Sequence, residues 1–342
     1  MRRSKNGGEG EVLRRIRGAF GRKLSPRFRG QASGGFLALG MGDDAALLAG
    51  AAVKGGELIL TCDWFLEGTH FLRDKHPADS VGWKCLARAV SDVAAMGGVP
   101  RSFLLSLALP EELTGRWLDE FLGGLRRAGR RFRCELAGGD TTERREILIN
   151  VTVVGEIARG KAILRSGARR GDIIYVSGRL GEAELGLQLL RKSKKLAGKK
   201  HGRLRRHLYP EPPLGLGQWL SQKRLATAMM DLSDGLSSDL RRLCEASGVG
   251  ASVYAESLPM VRLTGSQSTD RAQQLQLALH GGDDYELLFT VKERNAARIP
   301  PSYKGVALTA IGEITPGSAL LLTELDATTS PLEAGGWDPF KV

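Results

Sequence analysis

The chain has 342 residues, 42% of them hydrophobic, which suffices for a full core and, at about 150 residues per domain, for two domains. No run approaches the roughly 20 apolar residues of a membrane-spanning helix. The longest candidate is Ala45 to Val53, and the basic N-terminus leads into Glu9, Glu11, Arg14 and Arg15 instead of an apolar signal core, so a soluble cytoplasmic protein with no membrane partner is expected.

The net charge of +12 is uneven along the chain. Residues 1–29 carry ten Lys/Arg against Glu9 and Glu11, and residues 191–206 carry nine Lys/Arg and no acid, so the rest of the chain sums to −5. A mildly acidic body with a basic tail and one basic loop reads as solvated decoration. Residues 191–206 contain no aromatic platform for stacking bases, which argues against a nucleic-acid partner.

In chain order, β-branched and apolar runs predict a strand over Glu57 to Thr61. A helix follows over Trp83 to Met96, where Trp83, Leu86, Ala87, Val90, Val93 and Ala94 recur at three- and four-residue steps before Gly97-Gly98 stops it. Further strands are predicted over Phe103 to Leu109 and Ile147 to Val154. The Gly- and Arg-rich segment Glu156 to Gly171 then reads as an inter-domain linker. Beyond it come strands over Asp172 to Ser177 and Tyr285 to Val291, with the basic 191–206 stretch as an insertion after a helix. A helix carrying Leu236, Leu240, Leu243 and Cys244 on one face ends at Gly248. Alternating strands and helices predict a mixed α and β protein.

Cys62, Cys85, Cys134 and Cys244 are too widely spaced for a CxxC pair or a thiolate zinc site, so free, mostly buried thiols are expected. The five histidines, His70, His76, His201, His207 and His280, form no HExxH or close pair in sequence. Gly155 to Lys161 matches the spacing of a phosphate-binding loop. Ala162 takes the place of the magnesium-binding hydroxyl there, and Gly167 and Gly171 fall where a helix should begin, so this match is read as fortuitous.

The informative feature is a series of aspartates beside glycines or small residues, expected at loop positions. They are Gly42-Asp43-Asp44, Cys62-Asp63, Ser91-Asp92, Gly138-Gly139-Asp140, Asp231-Leu232-Ser233-Asp234-Gly235 and Gly281-Gly282-Asp283-Asp284. A single Gly-Asp pair is an ordinary turn. Six such places, with Asp63 and Asp140 expected at or near strand ends, suggest carboxylates converging on a cleft. Clustered carboxylates repel unless cations neutralise them, and their hard oxygens suit magnesium, which also holds phosphate oxygens.

Taken in order, Gly42-Asp43-Asp44-Ala45-Ala46, Asp63 with Glu67-Gly68-Thr69-His70-Phe71, Ser91-Asp92-Val93-Ala94-Ala95-Met96-Gly97, Gly138-Gly139-Asp140-Thr141-Thr142, Asp231 to Leu236 and Gly282-Asp283-Asp284-Tyr285-Glu286-Leu287 resemble the thiamine-monophosphate kinase family. The resemblance runs from about residue 9 to the closing Gly335-Gly336-Trp337-Asp338-Pro339-Phe340. It implies the two-domain fold of the wider aminoimidazole ribonucleotide synthetase group, with an N-terminal α/β domain contributing strands to a dimer barrel and a C-terminal α+β domain. The expected division is a basic segment at 1–29, an ATP- and Mg-binding and dimerisation domain at 30–158, and a C-terminal domain at 159–342.

The resemblance further implies ATP-dependent phosphorylation of thiamine monophosphate in a homodimer. It places Asp43, Thr61, Cys62, Asp63, Asp92, Asp140, Asp231 and Asp234 at positions that hold several Mg2+ ions, with Asp44 as a neighbour. Gly139, Asp140, Arg165 and Ser233 stand at ATP contacts, and His70, Asp283 and Trp337 at thiamine phosphate contacts. Three positions depart from the family pattern. Cys62 replaces a hydroxyl residue, which leaves its backbone carbonyl as the alternative ligand, Asp283 replaces Glu, and Pro339 replaces His. Sister selenophosphate synthetases carry a reactive Cys or selenocysteine near the N-terminus, and a sister hydrogenase maturation protein ends in Cys. Residues 1–40 here lack Cys and the sequence ends Phe340-Lys341-Val342, which favours the kinase reading.

Overall fold

A computed structural model describes residues 37–39, 43–49, 56–192, 201–262 and 270–340. The basic segment 1–29, Gly42 and residues 193–200 of the basic stretch lie outside the described residues.

Two sheets organise the chain. The first has the order β1-β2-β3-β6-β4-β5, formed by β1 (Leu37–Leu39), β2 (Ala46–Ala49), β3 (Gly56–Leu66), β4 (Val99–Leu109), β5 (Glu135–Glu143) and β6 (Leu148–Ala158). Its pairings are antiparallel except β4 with β5. Alternation divides its side chains between two faces. Ile59, Phe65, Phe103, Leu105, Ile149, Val151 and Val153 are buried on one face, in a core shared with α1 (Ala78–Ala95) and α2 (Arg116–Phe132). The other face carries Trp64 and Leu104, 54% and 44% exposed.

The second sheet has the order β14-β13-β9-β12-β7-β10-β8, with β11 paired to β12. Its strands are β7 (Asp172–Ser177), β8 (Ala226–Leu232), β9 (Gly250–Tyr254), β10 (Glu286–Lys292), β11 (Ser302–Tyr303), β12 (Val306–Thr315), β13 (Leu320–Thr323) and β14 (Thr329–Pro331). The remaining helices are α3 (Glu182–Lys192), α4 (His201–Leu208), α5 (Leu214–Lys223), α6 (Leu236–Ser247) and α7 (Arg271–His280). One face of this sheet packs Ile174, Val176, Met230 and Leu288 with Leu236, Leu240 and Leu243 of α6 and Ala278 of α7. The opposite face packs Tyr175, Met229, Leu287 and Phe289 with Leu216 and Leu220 of α5 and with Ala94 and Ala95 of α1.

Helix α1 therefore lies between the two sheets, which explains its composition. Fourteen of its 18 residues are buried, so it is apolar nearly all round. It starts five residues before the expected helix, and its C-terminus closes as expected: Gly97 adopts φ +75 and donates to Ala94 O, while Gly98 donates to Val93 O. Helix α6 ends on left-handed Gly248 in the same way.

Several expectations are corrected. Strand β6 continues to Ala158, so the connecting coil begins at Arg159 instead of Glu156. Asp63 lies inside β3, Asp140 in the middle of β5 and Asp92 in the last turn of α1, none of them in a loop or at a strand end. The described ends of the 191–206 stretch are helical: Arg191 and Lys192 close α3, and 201–206 belong to α4, whose Leu204 and Leu208 pack on Leu190. The glycine-lysine match, by contrast, is fortuitous as expected: Gly155 to Ala158 are strand and a turn follows, with no helix beginning there.

Candidate active site

A cleft of about 620 Å³ opens where the sheets meet across α1. At one end Asp44, Asp92 and Asp231 bring carboxylate oxygens within 4.8 Å of one another. Each arrives on a different element: Asp44 ahead of β2, Asp92 on α1 and Asp231 at the end of β8. Ser91 donates to Asp231 Oδ2 at 2.7 Å, and the Thr61 hydroxyl donates to Asp92 Oδ2. The coil after β6 delivers Arg165, whose Nη2 and Nε meet Asp44 at 2.9 and 3.2 Å while its backbone N–H donates to Asp43 at 3.0 Å.

The electrostatics of this end follow from crowding. Burial and the neighbouring Asp44 push the Asp43 and Asp231 carboxyls up to about 7. Burial, then Asp63, Asp231 and Asp44, raises Asp92 well above its ordinary value. Burial also raises Asp63, with Arg88 opposing it. These carboxylates repel unless a cation or protons intervene. An all-oxygen donor set of this kind, with a hydroxyl beside it, fits a hard divalent cation.

Asp234 lies on the loop between β8 and α6. The Asp239 carboxylate accepts from the Asp234 and Gly235 backbone N–H groups at 3.1 and 3.0 Å, and Arg242 bonds both Asp234 and Asp239. Gly235 has φ +113, and a Cβ there would come within 2.9 Å of the His280 backbone, so only glycine fits the turn. Ser233 lines the cleft, and its carbonyl accepts from the Asp283 N–H at 2.8 Å, which clamps the two acidic loops together.

At the other end stands Asp283, at φ +68, followed by Tyr285 at φ +50. Two left-handed non-glycine residues within three positions are costly and persist only where surrounding contacts fix them. Lys84 Nζ donates to Asp283 Oδ2 at 2.7 Å, the Tyr285 hydroxyl donates to Oδ1 at 2.6 Å, and Arg88 Nη1 lies 3.5 Å from Oδ1. Burial alone would raise this carboxyl, but the Lys84 and Arg88 charges hold it well below the ordinary range. Its neighbour Asp284 points elsewhere and accepts the Gly181 and Ala183 N–H groups at the start of α3. His70 accepts the Leu66 N–H on Nδ1 at 3.0 Å, so its neutral ring carries the proton on Nε2, and burial lowers its pKa to about 4. Trp337 is 39% exposed at the cleft, and its backbone N–H donates to Asp234 O at 2.9 Å.

Three of the expected residues bring no side chain into the cleft. The Cys62 thiol faces the side of β3 opposite Thr61 and Asp63, within 3.3 Å of Asn150 Oδ1, and so points away from the carboxylates. Gly139 and Asp140 sit on edge strand β5, all of whose residues are exposed. The register aligns Trp64, Asn150, Ser106 and Asp140 across β3, β6, β4 and β5. Three strand spacings of about 4.8 Å thus separate Asp140 from the neighbour of Asp63.

The sequence reading missed Lys84, Arg88, Tyr285, Arg242 and the buried pair His76–His207. Those histidines, 131 residues apart, meet Nε2 to Nε2 at 2.9 Å, so the absence of a close pair in sequence does not carry over to space. A signal was present for two of these residues: Lys84 and Arg88 stand eight and four positions before Asp92 on an otherwise apolar helix.

The fold and the carboxylate cleft place the chain in a defined class: residues 42–157 match the AIR synthase related protein N-terminal domain, and residues 169–322 match the corresponding C-terminal domain. The thiamine-monophosphate kinase of Escherichia coli K12 is 38% identical over 306 residues, 88% of this chain and 92% of that protein. That of Bacillus subtilis is 34% identical over 312 residues, covering 89% and 94%. The chain belongs to the thiamine-monophosphate kinase family. The solved structure of AaThiL complexed with AMPPCP and TMP superimposes with a TM-score of 0.80 at 31% identity, covering 99% of each chain. A HypE–HypF complex, at 19% identity and a TM-score of 0.68, shares the fold alone.

Proposed function

We propose that the chain phosphorylates thiamine monophosphate with ATP, giving thiamine diphosphate and ADP in thiamine diphosphate biosynthesis in the cytoplasm. The observation that carries this reading is one cleft holding both the Asp44–Asp92–Asp231 cluster and, at its other end, Asp283. The related AaThiL structure contains an ATP analogue and TMP.

Asp43, Asp44, Thr61, Asp63, Asp92, Asp231 and Asp234, with the Cys62 carbonyl, would hold Mg2+ ions. Bound there, the metal supplies positive charge that screens polyphosphate oxygens and orients the leaving group. Arg165 and Ser233 contact ATP, and His70, Asp283 and Trp337 hold thiamine monophosphate. An oxygen of the acceptor phosphate attacks the γ-phosphorus in line as the bond to the β,γ-bridging oxygen breaks, and the electron pair leaves with ADP. The acceptor is largely dianionic at pH 7, its second pKa being about 6, so no side chain need remove a proton. Trapping a phosphorylated protein on the reaction path would contradict direct transfer.

The domains run from 30–158 and 159–342 and assemble as a homodimer. The face of the first sheet that carries the exposed Trp64 and Leu104 supports this assembly. Gly139 and Asp140 of one protomer then complete the site of the other, because within one chain they stand too far from Asp63. Incubation with ATP, Mg2+ and thiamine monophosphate, followed by chromatography, tests the activity: ADP and thiamine diphosphate are expected in equal amounts, and ADP without thiamine diphosphate would refute it.

A further inference from the structure

Lys84, Arg88 and Asp92 follow one another at four-residue steps on α1, so they form one stripe with about 6 Å between successive positions. The stripe runs along the cleft. Asp92 belongs to the carboxylate cluster, Lys84 is bound to Asp283 at the opposite end, and Arg88 stands between them. Arg88 Nη1 donates to the Tyr285 hydroxyl at 2.9 Å, and the guanidinium lies 5.6 Å from the Phe65 ring centre and 5.9 Å from that of Tyr285.

The protein leaves this guanidinium incompletely paired. Nε is buried with no hydrogen-bond partner among the described residues, and the Asp283 oxygen is 3.5 Å from Nη1 while Lys84 already holds the other carboxylate oxygen at 2.7 Å. Unsatisfied buried donors are rare and call for an explanation. A planar guanidinium with spare donors, fixed by two aromatic rings, suits a phosphate. The other cleft arginines with carboxylate partners are committed to the acidic end, Arg165 to Asp44 and Arg242 to Asp234 and Asp239. Arg88 instead faces the Asp283 end.

We propose that Arg88 binds the phosphate of the monophosphate acceptor, holding that anion between the carboxylate cluster and Asp283. This rests on the thiamine monophosphate kinase reading above. The guanidinium offsets the repulsion between acceptor and donor phosphates and sets the distance at which the acceptor oxygen approaches. It also makes the site selective for a phosphorylated acceptor over the free alcohol.

The test uses the full-length protein and three forms: wild type, Arg88→Met and Arg88→Lys. Steady-state kinetics give KM for thiamine monophosphate and for ATP, and calorimetry gives the affinities for thiamine monophosphate and for unphosphorylated thiamine. Loss of one charge-assisted phosphate contact predicts a roughly ten- to hundredfold rise in KM for thiamine monophosphate in Arg88→Met. The KM for ATP and the affinity for thiamine should stay within about twofold, and Arg88→Lys should recover part of the loss. Equal weakening of thiamine and thiamine monophosphate would overturn the proposal, since Arg88 would then act only through Asp283. So would a rise confined to the KM for ATP, or an unchanged KM for both. Should Arg88→Met fail to fold, the same comparison on Arg88→Lys decides: a reduced preference for thiamine monophosphate over thiamine supports the proposal, and an unaltered preference overturns it. Wild-type protein that turns over no thiamine monophosphate would instead refute the proposed function itself.

Discussion

Lys84 and Asp283 are 199 residues apart in sequence, yet Lys84 Nζ lies 2.7 Å from Asp283 Oδ2. Lys84 is 1% exposed in its side chain and Asp283 23%. With Ser91 on Asp231 and Arg88 on Tyr285, this pair fastens α1 to the acidic loops of the second sheet.

Removing one partner of such a pair leaves the other charge in a poorly solvated place. Lys84→Met should therefore lower stability by about 2–4 kcal/mol, somewhat less than a fully buried pair would lose. The double variant with Asp283→Asn should cost less than the sum of the single changes. Urea unfolding of the four forms measures both effects, and strict additivity would show that the two side chains are not coupled.

The His76–His207 pair makes stability depend on pH. Burial lowers His76 to about 4 and His207 well below its ordinary value, with Lys84 adding to both. Between the ordinary histidine value of about 6.5 and the native one, the unfolded chain binds more protons. The contribution of the pair is thus present above about pH 6.5 and lost as pH falls toward 4, by at most about 1.4 kcal/mol per pH unit for each ring. Urea midpoints at pH 7.5 and 5.5 should fall further in the wild type than in the variant carrying His76→Gln and His207→Gln. Equal slopes would contradict this.

The carboxylate cluster has the opposite sign. Asp43 and Asp231, raised to about 7, are stabilising below the ordinary carboxylate value, and that contribution is lost as pH rises through 7. A cation that relieves the repulsion should stabilise most where the groups are ionised. Mg2+ is expected to raise the melting temperature more at pH 8 than at pH 5.5, and less in Asp231→Asn. A shift independent of pH would argue against binding at this cluster.

The proposed completion of each site by Gly139 and Asp140 of the partner protomer would have a kinetic signature. Asp140→Asn and Asp231→Asn should each be nearly inactive alone. Mixed and allowed to exchange subunits, they should recover about a quarter of wild-type activity, because half the dimers are mixed and each mixed dimer has one intact site. No recovery would place Asp140 in its own protomer's site.

Much of this was legible in the sequence. The period of the apolar residues marks α1 and α6, and the Gly-Asp motifs mark the junction where Asp231 ends β8 and Asp234 lies on the loop before α6. Strand β5 was obscured because Gly138 and Gly139 read as a turn. A Cβ on Gly139 would come within 1.8 Å of Leu105 O, so the glycine is needed for the close approach to β4. Lys84, Arg88, Tyr285 and His207 were hidden for another reason. Their partners come from distant parts of the chain, and a buried charge on an apolar helix acquires meaning only when the opposing loop is in place. The thiol at Cys62 illustrates the reverse case, since strand alternation alone places it on the face opposite Thr61 and Asp63.

The most direct test compares formation of thiamine diphosphate from ATP and thiamine monophosphate by wild-type protein and by folded Asp231→Asn at saturating Mg2+. Loss of one of three clustered carboxylates should reduce turnover by roughly a hundredfold or more, with unchanged secondary structure. Undiminished turnover in Asp231→Asn, or no thiamine diphosphate from the wild type, would contradict a phosphoryl-transfer site built on Asp44, Asp92 and Asp231.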